Sequence, residues 1–253
     1  LRTKVIGHPL VEFPTVESTN TMATGLLRRS AVRHGAVVLA HEQTAGRGQR
    51  GRSWRSQPGL DLALSIVLEP VGLRAEEQFG LAKVAALAVH DTVRAHVTGP
   101  VTIKWPNDLL IGRNKVAGIL IACELTGDLV RSAIVGIGLN VNSDGFEQDL
   151  VATSLMIELG GELDRMAVLG SLCERFETRW EQWEQARQGG GASLDSDYAE
   201  RLHARSRWAS LVLDGQPITA RPLDVDPAGR LIVEHEDGRT AAYALERLRF
   251  APR

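Results

Sequence analysis

Gly46-Arg47-Gly48-Gln49-Arg50-Gly51-Arg52-Ser53-Trp54-Arg55-Ser56-Gln57-Pro58-Gly59, running into Leu60-Asp61-Leu62-Ala63-Leu64-Ser65-Ile66-Val67-Leu68, is the stretch on which the fold turns. It contains the spacing Gly-x-Gly-x-x-Gly just after a short apolar segment at 36–41 that reads as a strand. In a dinucleotide-binding fold that fingerprint must open a helix, whose N-terminus meets the pyrophosphate. Here Ser56, Pro58 and Gly59 intervene. Leu60, Leu62, Leu64, Ile66 and Leu68 then alternate as only a strand does. The spacing matches and the context fails, so the segment reads as strand, long loop (42–59), strand.

The loop carries Arg47, Arg50, Arg52 and Arg55 among four glycines. Glycines let a backbone approach a ligand closely. Guanidinium forks donate paired hydrogen bonds to the paired oxygens of phosphates and carboxylates. The readings that fit are a loop that holds an anionic ligand and closes over it, a solvated basic loop, or an RNA contact.

Outward from this stretch, residues 19–29 predict a helix with Ser18 as N-cap, and 75–97 a longer one with apolar residues at three- and four-residue spacing. Strands are predicted at 101–105, 115–124 and 130–141, and helices at 164–185 and 195–203, before and after the Gly189-Gly190-Gly191 break. From Trp208 the pattern becomes short strands at 208–213, 217–225, 230–235 and 240–244 between Asp-Gly and Pro-Ala-Gly turns. This predicts a small antiparallel barrel or sandwich, too small to stand alone and therefore packed on the rest. The expected organisation is a main unit at 1–205 and a small β unit at 206–253.

Composition excludes more than it identifies. A formal net charge of -2 over 253 residues gives no global electrostatic case for nucleic acid or a membrane. Cys123 and Cys173 are too few for a disulfide framework or a cysteine-rich metal site. No apolar run approaches a membrane span, and no phosphate-loop, kinase, nucleophile-elbow or zinc-protease motif occurs.

Three further segments can carry chemistry. Lys104-Trp105-Pro106-Asn107-Asp108 ends a strand, with Asn107 and Asp108 beginning a turn. Lys115-Val116-Ala117-Gly118-Ile119-Leu120 puts a lysine before an apolar strand; it is an edge gatekeeper or a cation reaching a site of accumulating negative charge. Val135-Gly136-Ile137-Gly138-Leu139-Asn140 is a strand with two glycines, marking either tight core packing or a close ligand approach.

In this order, Glu17-Ser18-Thr19-Asn20, Glu42-Gln43-Thr44-Ala45-Gly46-Arg47-Gly48, Gly51-Arg52-Ser53-Trp54, Lys104-Trp105-Pro106-Asn107-Asp108, Lys115-Val116-Ala117-Gly118-Ile119-Leu120 and Gly136-Ile137-Gly138-Leu139-Asn140 resemble the biotin protein ligase family. The resemblance implies an α/β (α+β) fold: a central mixed sheet flanked by helices, as in class II synthetases, with a C-terminal SH3-like β-barrel. It implies biotin binding by Ser18, Thr19, Asn20, Gln43, Arg47, Gly48, Gln49, Lys115 and Gly118, and ATP binding by Arg50, Arg52, Trp54, Lys104, Asn107 and Asn140. Asp108 is the candidate Mg²⁺ ligand, and Lys115 and Arg47 are the candidate catalytic cations. Gln49 departs from the arginine usual in the family and supplies no fixed charge.

The implied reaction is attack of the biotin carboxylate on the α-phosphorus of ATP. Transfer to a lysine of a biotin carboxyl carrier domain, of acetyl-CoA carboxylase or a related enzyme, follows. Trp54 either packs on adenine or anchors its loop. A cytoplasmic location is implied, as is a homodimer through a sheet edge at 115–124 or 130–141. DNA binding is not expected, because Ser18-Thr19-Asn20 leaves no preceding room for a helix-turn-helix. The rivals are a lipoate or octanoate ligase or transferase of the same superfamily, and a non-enzymatic module gripping RNA or an acidic partner.

Overall fold

A computed structural model describes residues 1–147 and 151–251. Seven strands form a mixed sheet: β1 (Leu10–Val16), β2 (Val37–Gln43), β3 (Leu62–Leu68), β4 (Val101–Lys104), β5 (Asp108–Ile111), β6 (Asn114–Thr126) and β7 (Leu129–Leu139). Their spatial order is β1-β2-β3-β7-β6-β5-β4, with β1 and β2 parallel and the other neighbours antiparallel.

Strand alternation gives the sheet two different faces. Leu62, Leu64, Ile66 and Leu68 of β3, with Val37, Leu39, Ile137 and Leu139, belong to the large core beneath α2 (Phe79–Arg94) and α4 (Arg165–Arg187). Four of the five residues whose alternation excluded a dinucleotide fold are these; Leu60 lies before the strand and is exposed. On the other face α1 (Thr19–Arg28) covers a small cluster of Ala23, Val38, Val67 and Ile134 and leaves the rest of the face open. Helices α3 (Leu155–Leu159) and α5 (Asp195–Glu200) complete the main body.

A second, antiparallel sheet follows, of β8 (Ala209–Leu213), β9 (Gln216–Val225), β10 (Leu231–His235), β11 (Thr240–Tyr243) and β12 (Leu248–Phe250), in the order β11-β10-β9-β8-β12. It packs against the main body. Trp105 Nε1 donates to Gly229 O at 2.9 Å, and a Cβ on Gly229 would lie 2.6 Å from Phe79.

Several expectations change. Strands β1, β5 and β12 and helix α3 were not expected, and Asp108 opens a strand rather than continuing a turn. Strand β7 is not a sheet edge, because β3 and β6 flank it. Strand β6 pairs with β5 only over its first residues, up to Gly118, and its remainder has β7 on one side.

Candidate active site

The open face of the main sheet is a cavity of about 190 Å³, floored by β6 and β7 and walled by the Arg-Gly loop, the start of α1, residues 104–108 and the end of the C-terminal sheet. The floor is nearly bare of side chains. Gly118 lies opposite Gly138, and Leu120 opposite Gly136, which in turn faces Ser65 of β3. A Cβ at Gly136 would lie 2.2 Å from Asn20 Oδ1. One at Gly138 would lie 2.2 Å from Trp54 Cε2, and one at Gly118 3.1 Å from both the Trp54 ring and Lys115 Nζ. The glycines are therefore seats: the Asn20 amide lies flat on one and the Trp54 indole on the other two.

The α1 side of the cavity is neutral and polar. Ser18 occupies the N-cap position, yet its hydroxyl makes no capping bond; the helix start is held by Met22 N donating to Ser18 O at 2.9 Å. Gln43 Oε1 accepts from Thr19 N at 2.8 Å, which turns the Gln43 amide nitrogen away from Thr19. Asn20 Nδ2 donates to Leu120 O at 3.1 Å. Ser65, fully buried, reaches Thr19 Oγ1 at 2.8 Å and Asn20 Oδ1 at 2.6 Å. Ser65 was not anticipated. Its signal was present: Ala63 and Ser65 are small residues on the strand face opposite the leucines.

The rest of the rim is cationic. Arg47, Arg50, Arg52, Lys104, Lys115 and Arg249 line the cavity, against the one carboxylate, Asp108, that lines it among the described residues. Lys115 Nζ lies 2.5 Å from Asp108 Oδ1 and 5.4 Å from the centre of the Trp54 ring. Lys104 Nζ lies 5.6 Å from the Phe250 ring. Arg50 takes a left-handed backbone (φ 56°) and donates to Leu245 O, tying the loop to the C-terminal sheet. Leu245, Arg249 and Phe250 are walls that the sequence did not announce.

The cavity thus brings together Ser18, Thr19, Asn20, Gln43, Arg47, Gly48, Gln49, Arg50, Arg52, Trp54, Lys104, Asn107, Asp108, Lys115 and Gly118. Asn107 is turned partly to structural use, donating to Ile119 O at 3.1 Å.

One expected residue is placed differently, and the candidate metal ligand already has a partner. Asn140 lies outside the cavity, buried, with its amide donating to Thr153 O at 2.9 Å; it ties β7's end to the chain before α3. Asp108 is engaged by Lys115, and among the described residues no group of three His, Cys, Asp or Glu side chains converges as a metal site. Mg²⁺ that is carried on a nucleotide keeps several waters and takes only one or two protein carboxylates, a part that Asp108 alone could fill.

A cradle of neutral donors and acceptors beside a ring of cations defines a site for a molecule with a polar uncharged head and an acidic end. The chain belongs to the biotin/lipoate A/B protein ligase family, whose pattern its residues 12–140 match. It is 34% identical over 251 residues to the bifunctional ligase/repressor BirA of Bacillus spizizenii, covering 97% of this chain and 75% of that protein. It is 34% identical over 241 residues to the biotin–[acetyl-CoA-carboxylase] ligase of Mycobacterium tuberculosis, covering 92% of this chain and 86% of the relative. Among solved structures it resembles the biotin protein ligase of Aquifex aeolicus in complex with biotin and ATP, with a TM-score of 0.77, 27% identity and coverage of 96% and 99%.

Proposed function

We propose that the chain is an ATP-dependent biotin protein ligase, which forms biotinyl-5′-AMP and then transfers biotin to a lysine of a carrier domain. The observation that carries this reading is the meeting of Arg47 and Lys115, 68 positions apart in sequence order by their numbers, around one cavity whose other side is neutral and polar. The uncharged ureido ring suits the side of Ser18, Thr19, Asn20 and Gln43, whose groups donate and accept without charge. The carboxylate then lies toward Lys115.

In the first step a carboxylate oxygen attacks the α-phosphorus of ATP, the bond to the bridging oxygen breaks, and pyrophosphate leaves. Two anions must meet. Lys115 and Arg47 offset that repulsion most directly, with Arg50, Arg52, Lys104 and Arg249 around the phosphates. Mg²⁺ enters with the nucleotide as part of the substrate. Trp54, seated on the floor between Gly118 and Gly138, excludes water from the mixed anhydride and offers a flat ring to adenine. In the second step the carrier lysine's neutral amine attacks the acyl carbon, the acyl–phosphate bond breaks, AMP leaves, and the amine loses its extra proton to solvent. No enzyme nucleophile is required.

The carrier is a biotin carboxyl carrier domain of acetyl-CoA carboxylase or a related carboxylase, and the setting is cytoplasmic. A homodimer would use the part of β6 beyond Leu120, where one side pairs with no strand among the described residues. Biotin-dependent exchange of labelled pyrophosphate into ATP tests the reading. Exchange is expected with biotin and not with lipoate or octanoate; exchange driven by lipoate instead assigns the other branch of the family, and no exchange with any acid removes the ligase reading.

A further inference from the structure

We propose that Ser65, a buried residue of β3, is a positioning residue that fixes the hydrogen-bond polarity of the cavity by forcing the Thr19 hydroxyl to act as an acceptor toward the bound ligand. The inference rests on the biotin reading above and names what decides specificity within it.

The argument is an accounting of protons along one row of the sheet. Leu120, Gly136 and Ser65 lie side by side on β6, β7 and β3. The Asn20 amide crosses the bare position at Gly136. Its Nδ2 donates to Leu120 O at 3.1 Å, since a carbonyl only accepts, and this turns Oδ1 toward Ser65. Oδ1 lies 2.6 Å from Ser65 Oγ and has no proton to give, so the Ser65 proton goes to Asn20. The Ser65 oxygen can then only accept from Thr19 Oγ1, 2.8 Å away; otherwise two lone pairs would face each other in a site closed to water. Thr19 has one hydroxyl proton, and this contact uses it. The competing partner, Gln43 Oε1, is farther from Thr19 Oγ1 at 3.2 Å and already accepts from Thr19 N at 2.8 Å.

What remains on Thr19 for a ligand is lone pairs. Gln43, with its oxygen turned to Thr19 N, is left with its amide N–H groups, which have no partner among the described residues. The cavity therefore presents an acceptor beside a donor. A cyclic urea presents the reverse, N–H beside C=O. Ser65 does not line the cavity and touches no ligand; it acts through Thr19 and Asn20.

The test compares biotin with its carbamate isostere, in which one ureido N–H is replaced by a ring oxygen, each nitrogen in turn. The exchange removes a donor without adding bulk. Affinities are measured by calorimetry on wild type, Ser65→Ala, Thr19→Val and the double variant. The wild type should prefer biotin over the less favoured isostere. Ser65→Ala frees the Thr19 proton to turn toward the ring oxygen, so that preference should shrink by roughly 10-fold, about one hydrogen bond's effect, with KM for ATP unchanged. Thr19→Val should shrink it similarly, and the double variant no further. If Ser65→Ala fails to fold, the Thr19→Val preference alone decides, because an acceptor at Thr19 requires it to fall. An unchanged preference in either folded variant, or full additivity in the double, overturns the proposal and leaves the ligase reading standing. No biotin binding by wild type overturns both.

Discussion

Arg179 and Arg47 are the same residue type in opposite circumstances. In the helical layer, Arg179 of α4 is half-buried between two carboxylates, Asp91 of α2 at 2.7 Å and Asp197 of α5 at 2.6 Å. Arg187 and Arg201 nearby are likewise matched, to Glu184 and Asp197. Around the cavity, Arg47, Arg52 and Arg249 are exposed and meet no carboxylate among the described residues, yet they line one concave space. Matched arginines hold elements together. Unmatched cations gathered round a cavity keep their donors for something that arrives. The contrast locates function more sharply than charge does, since the whole chain is close to neutral.

The comparison can be broken at either end. The largest effect is expected at Lys115: Lys115→Ala should slow adenylate formation by well over ~10-fold in the pyrophosphate burst, because its charge is needed most as two anions join. A burst of wild-type size would place Lys115 outside the chemistry. Next comes the pair that gives the contrast. Arg179→Ala should lower stability by about 3 kcal/mol, leaving Asp91 and Asp197 half-buried without their cation. At temperatures below unfolding it should leave kcat alone. Arg47→Ala should do the reverse, slowing adenylation about 10-fold with an unchanged melting temperature. Melting curves beside burst kinetics separate the two, and a shared phenotype would erase the distinction.

The helical brace also has a pH signature. Burial pushes the Asp91 carboxyl up, but hydrogen bonds from His90 and Arg179 outweigh it, and the net value lies below the ordinary 3.8. A carboxyl depressed in the folded state adds stability above its unfolded value and loses it as pH falls through the folded one. The stability difference between neutral pH and pH below about 4 should therefore shrink in Asp91→Asn, as read by urea midpoints across pH. A smaller effect is expected at the cavity floor. Gly138→Ala places a methyl in the Trp54 seat and should raise KM for both biotin and ATP by about 10-fold through displacement of a loop, with the sheet intact. The smallest is expected at Arg239, an exposed partner of Asp237, where Arg239→Ala should change stability by less than about 0.5 kcal/mol.

How far the sequence discloses this arrangement depends on how local the cause is. The alternation in β3 and the periodicity of α2 are written within one element, and both form. Strand β1 escapes because Glu12 and Pro14 interrupt its apolar run; it is stabilised by pairing with β2, which lies beyond any local window. The four residues of β5 are too few to show a period. At the site, the motif-bearing residues gather as their order implies. The walls at Leu245, Arg249 and Phe250 do not, since Arg50 and Leu245 meet across 195 positions and no pattern near either points to the other. Asn140 misleads for a related reason: an amide after a glycine strand looks poised for a ligand, whereas a backbone carbonyl at Thr153 uses it.

The bare floor has one more consequence. Asn20 and Trp54 already rest on peptide backbone with no side chain beneath them to shorten, so neither can sink further and the site cannot be deepened by trimming below them. Redesign toward bulkier carboxylic acids must widen the enclosure sideways, by cutting back Trp54 or the polar edge of α1. Such changes loosen the grip on the natural ligand at the same time. Promiscuity and affinity are thereby coupled by Gly118, Gly136 and Gly138, three positions with nothing left to remove.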